Sequence, residues 1–131
     1  VRGADLAIAG DIPKGTGLSS SASLEVGVAT ALLALSGQSV DPTDVALLAQ
    51  AAENDFVGMR CGNLDQIASA AAVEAAALLI DCRSLDLVAV PMPTGTAVMI
   101  IQSGVVRGLI EGEYNTRRRE CEEAAQVLGV E

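Results

Sequence analysis

The stretch IPKGTGLSSSASLEV, Ile12 to Val26, decides how this chain is read. A short apolar run, Leu6 to Ala9, comes before it and predicts a buried strand ending at the turn Asp11-Ile12-Pro13. Gly15 and Gly17 then stand one residue apart, and Ser19, Ser20 and Ser21 follow. From Ala22, small and aliphatic residues predict a helix that ends near Gly37. Glycine lets a phosphate approach the backbone because no Cβ intervenes. The unpaired amides of a first helical turn point at such an anion, aided by the helix dipole. Serine hydroxyls add hydrogen bonds, or coordinate the magnesium ion that travels with phosphates. The loop is not a Walker A loop, because no Gly-Lys-Ser/Thr closes it and Lys14 precedes the glycines. On the residues alone, a turn with a helix cap explains the same letters, so both readings stand at this point.

Further along, Asp41-Pro42 restarts a helix, with Asp41 as N-cap and Pro42 in the first turn. The spacing of Val45, Leu48, Ala52 and Phe56 predicts one apolar face ending at Gly58. The loop Met59-Arg60-Cys61-Gly62-Asn63 leads to a short helix beginning near Asp65. Three strand candidates come next, Ala77 to Cys82, Leu87 to Val90 and Ala97 to Gln102, punctuated by Pro91 and Pro93. An amphipathic helix over Tyr114 to Leu128 closes the chain, and the order of elements reads as an α+β fold.

The stretch AENDFVGMRCGNLDQ, Ala52 to Gln66, carries two carboxylates of interest. Glu53 lies near a helix end, and Asp65 sits where a glycine-containing loop meets the next helix. A carboxylate there can hold Mg²⁺ as a hard oxygen ligand, or accept a proton from a substrate hydroxyl during phosphoryl transfer. A solvent-facing Glu53 and an N-capping Asp65 are the plainer alternatives.

Composition narrows the choices. The chain has 17 acidic and 8 basic residues, a formal charge of −9, which argues against nucleic acid as a partner. Arg117-Arg118-Arg119 is the only basic cluster, and Glu120, Glu122 and Glu123 follow it as on a solvated helix face. With no histidine, serine–histidine and cysteine–histidine catalysis and most zinc sites fall away. Cys61, Cys82 and Cys121 are odd in number and widely spaced, as expected of reduced thiols in a cytoplasmic protein. No membrane span is expected: Val26 to Leu35 falls short of the roughly 20 residues required, and Glu74 interrupts Ile67 to Ile80. Hydrophobic residues make up 50%, mean hydropathy is positive, and Phe56 and Tyr114 are the only aromatics. Such a composition, with a start at Val1 and an end at Glu131 after a charged helical stretch, leads us to expect a piece of a larger protein.

GTGLSSSASLEV resembles the second motif of the GHMP kinases, named for galactokinase, homoserine kinase, mevalonate kinase and phosphomevalonate kinase. The triple serine followed by Ala-Ser-Leu-Glu points to the galactokinase branch. So do AENDFVGMRCGNLDQ, ALLIDCRSL at Ala77 to Leu85 and EYNTRRRECEEA at Glu113 to Ala124, in the family's order and with similar spacing. The resemblance implies a two-lobed α+β kinase. Residues 1–104 would supply the latter part of an N-terminal, ATP-binding lobe, like domain 2 of ribosomal protein S5, and residues 105–131 would begin the C-terminal lobe.

The resemblance also implies roles. Gly15, Thr16, Gly17, Leu18, Ser19, Ser20 and Ser21 would wrap the phosphates of ATP, with Ser21 and Glu53 as the protein ligands of Mg²⁺. Asp65 would be the catalytic acceptor of the sugar's anomeric proton, and Cys61, Gly62, Asp65 and Tyr114 would border the sugar. The implied reaction is ATP plus galactose giving galactose 1-phosphate and ADP. A carboxylate's ordinary pKa, about 4, makes it a weak base toward a sugar hydroxyl, so positioning and electrostatics would carry the catalysis. The family's N-terminal motif, which holds an arginine beside the aspartate and several sugar contacts, is absent, and so is its Gly-rich third motif. The chain alone is therefore expected to be inactive. Arg60, Asn63 and Gln102-Ser103-Gly104 depart from residues common in the family and bear on sugar preference. A catalytically silent sugar- and ATP-binding regulator and a related sugar 1-kinase are the alternatives.

Overall fold

A computed structural model of the chain describes residues 3–102 and 110–130. Three helices form its packed centre: α1 (Ser20–Leu35), α2 (Pro42–Ala51) and α3 (Leu64–Ala71). Between α2 and α3 the chain makes one π-helical turn, Ala52–Val57. The hairpin β1 (Ala76–Ile80) and β2 (Leu87–Pro91) follows, and α4 (Ile110–Leu128) ends the described chain. Helices with one small sheet make an α+β fold, as the element order in the sequence predicts.

Local chemistry accounts for most boundaries. Asp41 caps α2 as expected, its carboxylate accepting from the Thr43 amide at 2.8 Å, and Pro42 opens the helix. Gly37, with φ 68°, turns the chain after α1. Small residues dominate α1 and let α2 and α3 approach closely. Val26, Val45 and Ala49 form the buried cluster, with Ala29, Leu33 and Ala70 packed on it.

Four sequence expectations need correcting. The apolar face of α2 is Val45, Ala46 and Ala49, followed by the buried Glu53, whereas Leu48, Ala52 and Phe56 face outward, Phe56 being 92% exposed. The reason lies in the π-helical turn, where the Gly58 amide reaches back five residues to the Glu53 carbonyl at 3.0 Å. The wider turn carries Phe56 off the packed face, while close helix contact selects the alanines. The first strand candidate ends at Ile80 rather than Cys82, because Asp81 builds a turn. Its Oδ1 accepts from the amides of Arg83 and Ser84 at 2.9 and 3.1 Å, and these bonds hold its pKa below the usual carboxylate value. Leu6 to Ala9 and Ala97 to Gln102 form no strand among the described residues. No described strand pairs with them, and a lone extended segment cannot satisfy its backbone. Finally, α4 begins before Tyr114, at Ile110.

β1 and β2 pair antiparallel, with Ala76 opposite Pro91 and Ile80 opposite Leu87. Arg117 and Arg118 pair with Glu120 and Glu122 at 2.8 and 2.9 Å along the exposed side of α4, in keeping with a solvated charged face. The expected lobe boundary after Gly104 lies outside the described residues. Among the described residues, no helix is long and apolar enough to cross a membrane.

Candidate functional site

The loop before α1 is an amide-lined turn. Backbone φ is positive at Gly15 (72°), Gly17 (79°) and Ser19 (54°), alternating with ordinary values at Thr16 and Leu18. Alternation of handedness brings successive amides to one side and makes a concavity suited to anions. The Thr16 hydroxyl ties the turn down by donating to the Pro13 carbonyl at 2.9 Å. Ser19 occupies the N-cap position of α1, yet its side chain makes no capping bond. The first helical bond in this region runs from Ser23 N to Ser19 O, so the amides of Ser20, Ser21 and Ala22 remain for an external acceptor. A left-handed serine is uncommon and costs conformational energy, a pattern found where a loop is held ready for a ligand. A cap would have closed this end of the helix; without one, its first amides stay open to an acceptor. An open cavity of about 610 Å³ adjoins it, lined by residues 7–10, Lys14, Ser20, Ser23 and Leu24 among others.

The second region is built around a buried amide. Glu53 follows Ala49 by one helical turn on the packed face and is only 6% exposed, which rules out the solvent-facing alternative. Its Oε2 accepts from Gln66 Nε2 at 2.7 Å, and the same nitrogen lies 3.4 Å from Glu25 Oε2. Gln66 is 1% exposed, and its Oε1 has no partner among the described residues. Two carboxylates thus converge on one neutral donor. Burial first, and the neighbouring Glu53 charge second, raise the pKa of Glu25, with the Gln66 bond opposing them. Cys61 joins the cluster, its Sγ 3.5 Å from Glu53 Oε2 and 3.4 Å from Asn54 Oδ1. Burial and the same carboxylate push this thiol up to about 11, so it stays protonated and acts as a donor. Ser21 stands one helical turn before Glu25 on α1, on the same side of that helix. These are hard oxygen donors with surplus negative charge, the set a magnesium ion prefers. Among the described residues no three Cys, Asp or Glu side chains gather as a metal cluster, so such an ion would also draw on hydroxyl and phosphate oxygens.

The loop Gly58–Asn63 runs from this cluster to α3. Gln50 Nε2 holds the Cys61 carbonyl at 3.1 Å from below, and Tyr114 Oη accepts from the Gly62 amide at 3.3 Å from above. Tyr114 is 40% exposed, so it belongs to this rim rather than to the core. Asp65 is exposed in the first turn of α3 and is not its cap; Asn63 holds that position without a side-chain bond. No side-chain hydrogen bond or ion pair to another described residue engages the Asp65 carboxylate. Cys61 and Gly62 lie on this loop, Tyr114 bonds to it from α4, and Asp65 follows it in the first turn of α3. Glu53 joins that neighbourhood through Cys61, and Gln66 links it to α1 through Glu25.

Sequence reasoning missed Glu25, Gln66 and Asn115. Glu25 and Gln66 lie inside the two quoted motifs, where the raised proportion of polar residues on otherwise packed helices was the available signal. Asn115 gave none.

Comparison with known proteins matches residues 2–73 to the N-terminal domain of the GHMP kinases. Among solved structures, the chain is similar to Lactococcus lactis galactokinase crystallised with galactose, at 34% identity and a TM-score of 0.79. That match covers 92% of this chain and 31% of the galactokinase chain, so this chain spans about a third of its length.

Proposed function

The chain belongs to the GHMP kinases, and from that premise we propose that it carries the phosphate loop and the sugar-facing loop of a galactokinase. The observation that carries the proposal is the pairing of an uncapped, amide-lined loop at Gly15–Ser21 with a second loop that bears Cys61 and Gly62, is bonded by Tyr114 of α4 and leads into Asp65 of α3. One suits a polyphosphate, and the other leads to a free carboxylate beside polar groups suited to a hydroxylated substrate. In this reading residues 1–104 belong to the ATP-binding lobe and residues 105–131 begin the second lobe of the complete enzyme.

Each residue then has a task. Amides of the Gly15–Ser21 turn and of the first turn of α1 would hold ATP phosphates, and the open hydroxyls of Ser19, Ser20 and Ser21 would add bonds to them. Ser21 and Glu53 would hold Mg²⁺, with Gln66 fixing the Glu53 carboxylate in place. When bound, the ion would neutralise charge on the phosphates. Cys61, Gly62 and Tyr114 would border galactose, with Asp65 facing its anomeric hydroxyl to orient it and receive its proton. Galactose as substrate is supported by the galactose-bound match at 34% identity, and cytoplasmic residence by the unpaired cysteines.

The test is phosphoryl transfer by the complete enzyme, read as galactose-dependent ADP release. Asp65→Asn should lower turnover about a thousandfold or more, while MgATP binding and melting temperature stay near the wild-type values. Near-normal turnover in that variant would overturn the assignment of Asp65.

A further inference from the structure

The loop Gly58–Asn63 is fastened from α4 by side chains more than fifty residues away. Asn115 uses both ends of its amide on it. Its Oδ1 accepts from the Arg60 amide at 3.0 Å, and its Nδ2 donates to the Gly58 carbonyl at 3.1 Å. Tyr114, its neighbour, takes the Gly62 amide. Backbone groups of residues 58, 60 and 62 are thus held in succession by two adjacent side chains. The Arg60 side chain returns the contact, its two terminal nitrogens meeting Glu122 at 2.7 and 3.3 Å, and Arg118 grips the same carboxylate at 2.9 Å. These bonds, from Arg118 first and Arg60 after it, hold Glu122 below the usual carboxylate pKa. The pairs are exposed, so they contribute direction more than stability. A two-bond amide clasp on backbone fixes geometry in a way one long ion pair does not.

We propose that Asn115 is a positioning residue, aided by the Arg60–Glu122 pair, that clasps the loop Gly58–Gly62 to α4 and sets the shape of the sugar-facing pocket. The inference rests on the galactokinase reading and adds to it a specificity-determining role for residues that act by holding this loop. The loop carries Cys61 and Gly62 and feeds directly into Asp65. Releasing its Arg60 and Gly58 contacts would let the sugar rim shift while leaving the phosphate loop, which shares no hydrogen bond with α4 among the described residues, as it was.

The experiment compares the complete enzyme with its Asn115→Ala and Arg60→Met variants in two measurements. In the first, the KM for galactose should rise about tenfold in Asn115→Ala and less in Arg60→Met. The KM for MgATP should stay within about twofold. A parallel rise in both KM values, or no change in either, would overturn the proposal. In the second measurement, amide hydrogen exchange of peptides spanning Gly58–Asn63 should accelerate in Asn115→Ala without a matching change in peptides spanning Gly15–Ser21. Unchanged exchange overturns the clasp whatever the activity. If exchange responds but the wild type phosphorylates no galactose-like sugar, the kinase reading falls and the role in sugar recognition falls with it.

Discussion

Two short glycine-bearing connections lead into helices of this chain, and they are held by different means. The first, Gly15–Ser21, is self-sufficient: its shape comes from three positive φ angles and a threonine hydroxyl reaching back three residues. The second, Gly58–Asn63, is shaped from outside, by Gln50 beneath it and by Tyr114, Asn115 and Glu122 above it. A loop that binds a common group such as a phosphate needs only backbone and can be encoded locally. In the proposed reading the second loop bounds a more particular substrate, and it is set by side chains from several elements. Changes in the first loop should therefore act on nucleotide alone, and changes around the second should act on sugar alone.

The largest test of that contrast is Gly15→Ala. A Cβ at this position would meet nothing within 4 Å, so the only internal penalty is the left-handed backbone at φ 72°. Alanine there costs about 1–3 kcal/mol, which the loop would relieve by changing shape. The expected result in the complete enzyme is a rise of tenfold or more in the KM for MgATP, with the KM for galactose nearly unchanged. Equal effects on both substrates would show that the two loops are not independent and would break the comparison.

This contrast also explains what could be read in advance. The glycine and serine spacing of the first loop, the Asp41-Pro42 helix start and the hairpin strands are local patterns, and each appears where the letters predict it, within a few residues. The outward position of Phe56 was not legible, because it depends on a π-helical turn that shifts the helical period just before Gly58. The amide bridge between Glu25 and Glu53 joins α1, the π-helical turn and α3, and no single stretch contains it. Asn115 looked like one more polar residue near the start of a charged helix. Leu6 to Ala9 and Ala97 to Gln102 have strand composition but no described strand to pair with, and composition cannot supply a partner.

A smaller effect is expected at the second loop. Tyr114→Phe removes the hydroxyl that accepts from Gly62 N while keeping the ring. The KM for galactose should rise several-fold, consistent with the loss of one hydrogen bond of about 0.5–1.5 kcal/mol, and the melting temperature should hold because the ring is only partly buried. A large stability loss with unchanged sugar affinity would move Tyr114 from the pocket rim to the scaffold. A raised KM for MgATP would instead blur the division between the loops.

The smallest effect concerns Glu25, where the two regions meet through Gln66. Its folded-state pKa is raised above the ordinary 4.5, by burial first and by the Glu53 charge second, against the opposing Gln66 bond. A carboxyl raised on folding stabilises the fold fully below the ordinary value, and that contribution is lost as pH rises through the folded value. At neutral pH, without metal, the charged Glu25 therefore works against folding, and Glu25→Gln should raise the melting temperature by about one or two degrees. The difference should vanish when both proteins are melted below about pH 4, where the wild-type carboxyl is protonated in either state. Adding Mg²⁺ and ATP should narrow the gap at neutral pH, because a bound cation would relieve the repulsion between Glu25 and Glu53 only in the wild type. A lower melting temperature for Glu25→Gln at neutral pH would mean that the Gln66 bond outweighs burial and repulsion. Glu25 would then be an anchor between α1 and α3 rather than a strained member of the acidic pair, and the two loops would be coupled through it even without metal.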